Sequence, residues 1–267
     1  MRIFALTLSA LAAGISTFVL YAPDHVSSAT ADKALLSALP VVAPADSQGL
    51  VVLELFTSEG CSSCPPADRV LSQTVARAAA EGLPVLALAF HVDYWNRLGW
   101  RDHFSTAAYS ARQRQYAQVL SGRVYTPQLV INGTRELVGS DRTGLDAAIR
   151  DAMRRPADAG FEQLTATANG DHQWRVTWDA RGDLREAEVH LVLVLREAVT
   201  QVLRGENGGR TLSHVQVVHR MTTLPARQQG EAVIEADPSV SPENLQLIAL
   251  IQDRNTLRVR GGASAGL

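Results

Sequence analysis

The 267-residue chain holds only two cysteines, and they stand three apart as Cys61-Ser62-Ser63-Cys64. An apolar run of strand length (Val51, Val52, Leu53, Leu55, Phe56) leads into the turn signal Thr57-Ser58-Glu59-Gly60, and two prolines follow the second cysteine. Proline suits a first helical turn, where backbone N–H groups lack partners. Ala67, Val70, Leu71, Thr74, Val75 and Ala78 then recur at helical spacing. The pair is therefore expected at a helix N-terminus, just past the C-terminal end of a buried strand. There the unpaired N–H groups and the helix dipole favour a thiolate, the nucleophilic form of cysteine. A mixed disulfide formed at one cysteine is within reach of the other, so Cys61 is assigned as the attacking thiol and Cys64 as the resolving one. Cys61 takes the attacking role because it is expected nearer the exposed tip of the turn, and Cys64 the resolving one because it is expected inside the helix. A bridge between residues three apart closes too small a loop to stabilise a fold much, which favours reactivity over a purely structural disulfide.

These residues need a scaffold, and the chain supplies strand and helix patterns in order. Residues 83–91, LPVLALAFH, form a second continuous apolar run, as in strands buried on both faces of a parallel sheet with the Cys-bearing helix as crossover. His91 and Asp93 then emerge beside Gly60 and Cys61, where open α/β sheets bind ligands. His91 is a candidate to stabilise the Cys61 thiolate or relay its proton, and Asp93 to orient it; the competing reading is a polar strand end under a packed lid of Tyr94 and Trp95. Glu54, on the strand face opposite Leu55, reads as a paired structural carboxylate.

A helix over 102–120 is expected to turn Phe104, Ala108, Ala111 and Val119 inward and Arg112, Gln113 and Arg114 to solvent. A strand at 124–131 contains Thr126-Pro127, Asn132-Gly133 signals a tight hairpin with a return strand at 135–138, and a helix runs to about 154. Pro156 to Gly160 reads as a boundary. Beyond it, segments 163–168, 172–178, 188–195, 212–219, 231–236 and 245–251 read as strands of an antiparallel sandwich. Residues 204–210, RGENGGR, lack the strand–turn–helix setting of a phosphate loop; they either dock on the Cys site or form a solvated hairpin loop. His214 and His219, five apart in a strand, do not pair as metal ligands.

The bulk composition, 46% apolar, 19% charged and a formal charge of −2, is that of a globular chain. Its basic residues are scattered, so nucleic acid is not an expected partner. Arg2, the apolar stretch 3–21 and Ala29-Thr30-Ala31 have the pattern of an export signal, cleaved or retained as an anchor, over residues 1–31; residues 32–48 read as a linker. A membrane is a partner only if that signal is uncleaved. An exported, periplasmic location also permits a stable disulfide.

The motifs FTSEGCSSCPPAD, FHVDYWNRLGW, YTPQLVINGTRELVGSDR and RGENGGRTLSH resemble the DUF1223 family of exported, thioredoxin-like proteins. The resemblance implies an α/β thioredoxin-like domain over 49–155, followed here by an all-β sandwich-like domain over 160–260. It also implies that Thr126-Pro127 is a cis bond packed against the cysteines, with the Thr126 backbone open to a substrate strand. Two features depart from thioredoxin itself: Ser62-Ser63 replaces its Gly-Pro dipeptide, and Leu55 stands where its buried acid would be. The expected function is disulfide exchange with a protein substrate and a redox partner protein, needing no cofactor beyond the Cys61–Cys64 disulfide. The alternatives are a soft-metal module holding copper or zinc, and a redox-inactive interaction protein.

Overall fold

The computed structural model describes residues 49–120 and 122–267, so the expected export signal and linker lie outside the described residues. Strand β1 (Val51–Thr57) is buried throughout. After the cysteines, helix α1 (Pro65–Glu81) starts with Cys64 as its N-cap and prolines in its first positions, and it ends at Gly82 in the left-handed conformation (φ 64°). Strand β2 (Val85–His91) pairs parallel to β1, with Thr57 opposite His91, so α1 is the expected crossover. Helix α2 (Ala107–Val119) is capped by the Thr106 side chain. Strands β3 (Gln128–Ile131) and β4 (Arg135–Val138) form the hairpin at Asn132-Gly133, both of which have positive φ. Helix α3 (Arg142–Met153) closes this half, with Asp141 accepting from the Gly144 amide at 2.9 Å.

The second half contributes β5 (Ala159–Ala168), β6 (Gln173–Gly182), β7 (Ala187–Gln201), β8 (Thr211–Pro225), β9 (Gln229–Glu235), β10 (Leu245–Asp253) and β11 (Val259–Ala265). It does not form a separate sandwich. Strand β8 pairs parallel to β2, with Val217 opposite Ala89, and joins both halves into one eight-stranded mixed sheet of order β11-β10-β7-β8-β2-β1-β3-β4. Only β5, β6 and β9 stand apart, as a three-stranded sheet. The expected α/β thioredoxin-like domain followed by an all-β sandwich-like domain is thus corrected: the fold is mostly β and its principal sheet is continuous.

The physical reason lies in burial. Val189 to Leu195 in β7 and Leu247 to Gln252 in β10 are buried at every position, which marks interior strands covered on both sides. One face carries Leu191, Leu193, Leu247 and Ala249 against Phe161, Trp174, Val176 and Trp178 of the small sheet. The other carries Val192, Val194, Ile248 and Leu250, clustered with Phe56, Phe90, Tyr109 and Tyr116 on the side of α2. Pairing with β8 also leaves β2 without the open edge it would have in an isolated four-stranded domain.

Helix α2 turns the opposite way from expectation. It buries Tyr109, Arg112, Gln113 and Tyr116 and leaves Ala108 exposed. The buried face is polar because Arg112 grips Glu54 with two bonds, Nε to Oε2 at 2.6 Å and Nη2 to Oε1 at 3.0 Å. Arg112 also donates to Gln252 Oε1 on β10 at 3.0 Å, which ties both halves of the chain to one ion pair. Glu54 is the paired structural carboxylate the sequence suggested.

Candidate active site

Cys61 and Cys64 are joined in a disulfide with their Cα atoms 5.4 Å apart. Both are completely buried, and the exposed tip of the turn is Ser62-Ser63, so Cys61 is no nearer to solvent than Cys64. The sulfurs differ in their neighbours instead. Thr126 Oγ1 donates to Cys61 Sγ at 3.3 Å, and Ser63 Oγ lies at the same distance. The Thr126–Pro127 bond is cis, as the resemblance implied. Trp95 Nε1 donates to Thr126 Oγ1 at 2.8 Å, and the Trp95 side chain lies against Gly60, where an added Cβ would approach it to 3.2 Å. Gly139 is needed behind the cis-proline, because a Cβ there would come within 2.7 Å of Leu55 and 2.9 Å of Ala67.

Behind the disulfide-bearing turn lies a buried group of histidines and carboxylates. His91 Nδ1 is 2.7 Å from Asp102 Oδ2, and the same oxygen accepts from the Glu59 amide at 2.8 Å. The His91 ring meets the His214 ring edge to face at 4.8 Å. His214 lies 3.7 Å from Glu59 through Nε2 and 3.7 Å from Asp68 through Nδ1. Glu59 accepts from Trp100 Nε1 at 2.7 Å, and Asp68 from the Thr57 hydroxyl at 2.9 Å. Asp68 follows Cys64 by four residues on α1, so the two share its buried face.

Burial controls the charges here. It pushes the Asp68 carboxyl up to about 6 and holds the His214 imidazole down to about 3. His214 is therefore neutral near pH 7, and its two approaches to carboxylates are not ion pairs. Glu59 is raised by burial and by neighbouring Asp102. For His91, burial opposes the cation but Asp102 outweighs it, so the pKa is raised; for Asp102, burial is outweighed by His91 and the pKa is lowered. Glu59 Oε1, His91 Nε2 and both His214 ring nitrogens have no hydrogen-bond partner.

Of the residues singled out from sequence, the structure brings Cys61, Cys64, Thr126 and Pro127 together. His91 lies in the buried group with Asp102, and Asp93 is held elsewhere, by a 2.5 Å bond from the Ser110 hydroxyl of α2. Sequence reasoning missed Asp102, Asp68 and His214, and it offered docking of the 204–210 loop on the Cys site as one of two readings without singling out Asn207. Asp68 was legible from its helical spacing to Cys64, whereas His214 and Asn207 arrive only through the pairing of β8 with β2. Asn207, in the RGENGGR loop, donates to Glu59 O and Cys61 O, each at 2.9 Å, and Glu206 accepts from the Ser62 amide at 2.9 Å. That loop docks on the cysteine turn. Among the described residues no group of three or more His, Cys, Asp or Glu side chains is arranged to hold a metal ion, and no helix is long and apolar enough to cross a membrane.

The chain is similar along most of its length to a solved structure, protein AGR_C_4864 from Agrobacterium tumefaciens. The two are 26% identical, with a TM-score of 0.60, over 81% of this chain and 94% of that one. One known fold thus spans both halves, in agreement with the continuous sheet. HBP35 of Porphyromonas gingivalis, at 15% identity and a TM-score of 0.58 over 83% of this chain and 76% of that one, shares the fold. No curated protein matches. The sequence profile of DUF1223, a protein family described as of unknown function, matches residues 52–252. The chain belongs to the DUF1223 family.

Proposed function

We propose that the chain is an exported thiol–disulfide oxidoreductase that exchanges electrons with protein thiols through Cys61 and Cys64. The observation that carries this reading is the Thr126 hydroxyl donating to Cys61 Sγ at 3.3 Å, since a donor on one sulfur stabilises that thiolate and singles it out. In the reduced protein the Cys61 thiolate attacks a substrate disulfide. A Cys61–substrate S–S bond forms, the substrate's own S–S bond breaks, and one substrate thiolate leaves. Cys64 then loses its proton to the Asp68 carboxylate, one helical turn away, and attacks Cys61 Sγ. The Cys61–Cys64 bond forms and the second substrate thiolate is released, so two electrons have passed to the substrate. A redox partner protein restores the dithiol; with a reduced substrate the steps run in reverse.

Export is part of the same proposal. It is supported by the signal-like pattern over residues 1–31 and by the Cys61–Cys64 disulfide, since disulfides as a class persist in oxidising compartments.

The test is the equilibrium potential of the pair, read by thiol trapping in graded glutathione buffers. A value near or above ~−200 mV marks an oxidant or isomerase, and one near ~−270 mV a reductant. A disulfide that resists reduction well below ~−300 mV is structural, and the proposal then fails. Cys64→Ser is expected to accumulate mixed disulfides with protein substrates through Cys61, whereas Cys61→Ser is not.

A further inference from the structure

The loop between β7 and β8 makes contacts that neither strand needs. It is closed on itself by Val202 O accepting from the Gly209 amide at 2.8 Å and Arg210 O accepting from the Val202 amide at 2.9 Å. Gly205, with φ +75°, lets it sit on Trp100, where a Cβ would come within 3.1 Å of the Trp100 Cβ. From that seat two consecutive side chains reach the cysteine turn. Asn207 is completely buried and spends its amide on two carbonyls, Glu59 O and Cys61 O, while Arg210 Nη1 donates to its Oδ1 at 2.8 Å. Glu206 takes the Ser62 amide, the N–H that follows Cys61 in the chain. Three backbone groups of the turn from Glu59 to Ser62 are thus held by residues 144 to 148 positions later.

We propose that Asn207 and Glu206 are positioning residues for the chemistry at Cys61. Asn207 sets the backbone that presents its sulfur; Glu206 engages the Ser62 amide and so brings a carboxylate to the turn whose sulfur must become an anion. This rests on the reading of Cys61–Cys64 as an exchanging pair. A buried amide satisfied on three sides serves packing equally well, so the distinguishing consequence lies in sulfur chemistry. A carboxylate near a thiolate disfavours the thiolate, and an amide committed to that carboxylate is withheld from the sulfur. Both effects make the Cys61 thiol less acidic and the disulfide less oxidising. The other titratable groups around the turn are Glu59, Asp68 on α1, His91 on β2, Asp102 and His214 on β8, with Arg210 bonded to Asn207 on the loop itself.

The experiment compares the full chain with Glu206→Gln and Asn207→Asp in two measurements. One is the pH profile of iodoacetamide alkylation of Cys61 after phosphine reduction. The other is the equilibrium of the disulfide with glutathione, with urea unfolding as a control. Glu206→Gln keeps an acceptor for Ser62 but removes the charge. It is expected to lower the alkylation midpoint by a few tenths of a pH unit and to shift the glutathione equilibrium about two- to fivefold toward the dithiol, the scale of one exposed charge near a helix start. Asn207→Asp removes both donors and adds a charge, and is expected to shift both readings the opposite way. Unchanged midpoint and equilibrium in Glu206→Gln overturn the role of Glu206. Lost stability with unchanged sulfur chemistry in Asn207→Asp reduces Asn207 to packing. If Asn207→Asp does not fold, the exposed Glu206 variant still decides. A wild-type disulfide that never equilibrates with glutathione defeats the exchange reading itself, whereas the alkylation profile reads the effect of Glu206 on Cys61 in either case.

Discussion

Asp102 lies 2.7 Å from Nδ1 of His91, with both side chains wholly buried, and it receives the Glu59 amide on the same oxygen. The pair ties β2 to the turn that carries the cysteines. Because the His91 pKa is raised, its contribution is present below ~6.5 and is lost as pH rises through the folded value. Because the Asp102 pKa is lowered, its contribution is present above ~3.8 and is lost as pH falls through the folded value. Asp102→Asn is therefore expected to cost about 3–5 kcal/mol, the range for breaking a buried pair. The loss should be largest between about pH 4 and 6.5. Urea unfolding across pH 4 to 8.5 checks this; a difference independent of pH would show that charge pairing is not its source.

Asp68 has the opposite sign to an ordinary paired carboxylate. Its pKa is raised from 3.8 to about 6 by burial. The neutral carboxyl is thus favoured in the fold, and its contribution, fully present below 3.8, is lost as pH rises through about 6. A shift of that size corresponds to about 3 kcal/mol at ~1.36 kcal/mol per unit. Asp68→Asn keeps an acceptor for Thr57 and carries no charge. It is expected to match the wild type near pH 4 and to exceed it by up to about 3 kcal/mol at pH 7.5. In single-turnover exchange it should also slow the resolving attack of Cys64, seen as a longer-lived mixed disulfide.

Glu54→Gln leaves the Arg112 guanidinium buried without its counter-charge, and a loss of about 3–5 kcal/mol is expected in urea unfolding. The double variant Glu54→Leu with Arg112→Met, which removes both charges, is expected to recover most of it. Equal losses in the single and double variants would mean that the cost lies in packing around Tyr116 and Gln252 and not in the unpaired charge.

Thr126→Val removes the hydroxyl on Cys61 Sγ and nearly keeps the side-chain shape. A hydrogen bond to a charged group contributes about 1.5–3 kcal/mol, so the Cys61 alkylation midpoint should rise by about one to two pH units. Thr126→Ser should restore it. Trp95→Phe is expected to shift the midpoint the same way by less, because Trp95 occupies an acceptor site of the Thr126 oxygen and leaves the hydroxyl hydrogen to the sulfur.

Much of the local structure was legible without coordinates. The prolines after Cys64, the apolar spacing of α1, the Asn132-Gly133 hairpin and the parallel pairing of β1 with β2 are short-range consequences of backbone sterics and side-chain periodicity. The family motifs added the cis bond at Thr126-Pro127. Two readings failed for the same reason. The face of α2 was assigned by polarity, but Arg112 and Gln113 are buried because their partners Glu54, Gln252 and Gln128 come from distant strands. The later strands were read as a sandwich because each shows only its own pattern, and β7 and β10 are apolar on both faces in either architecture.

The sequence by itself determined where the two cysteines sit and which strand, turn and helix present them, since those depend on neighbours a few residues apart. Only the tertiary structure decided what surrounds the sulfurs. The single pairing of Ala89 with Val217 brings β8 beside β2, and with it His214 and the loop bearing Glu206 and Asn207. Strand pairing is set by backbone hydrogen bonds and by burial of both faces at once, and residues more than a hundred positions apart leave no periodic trace of such a meeting.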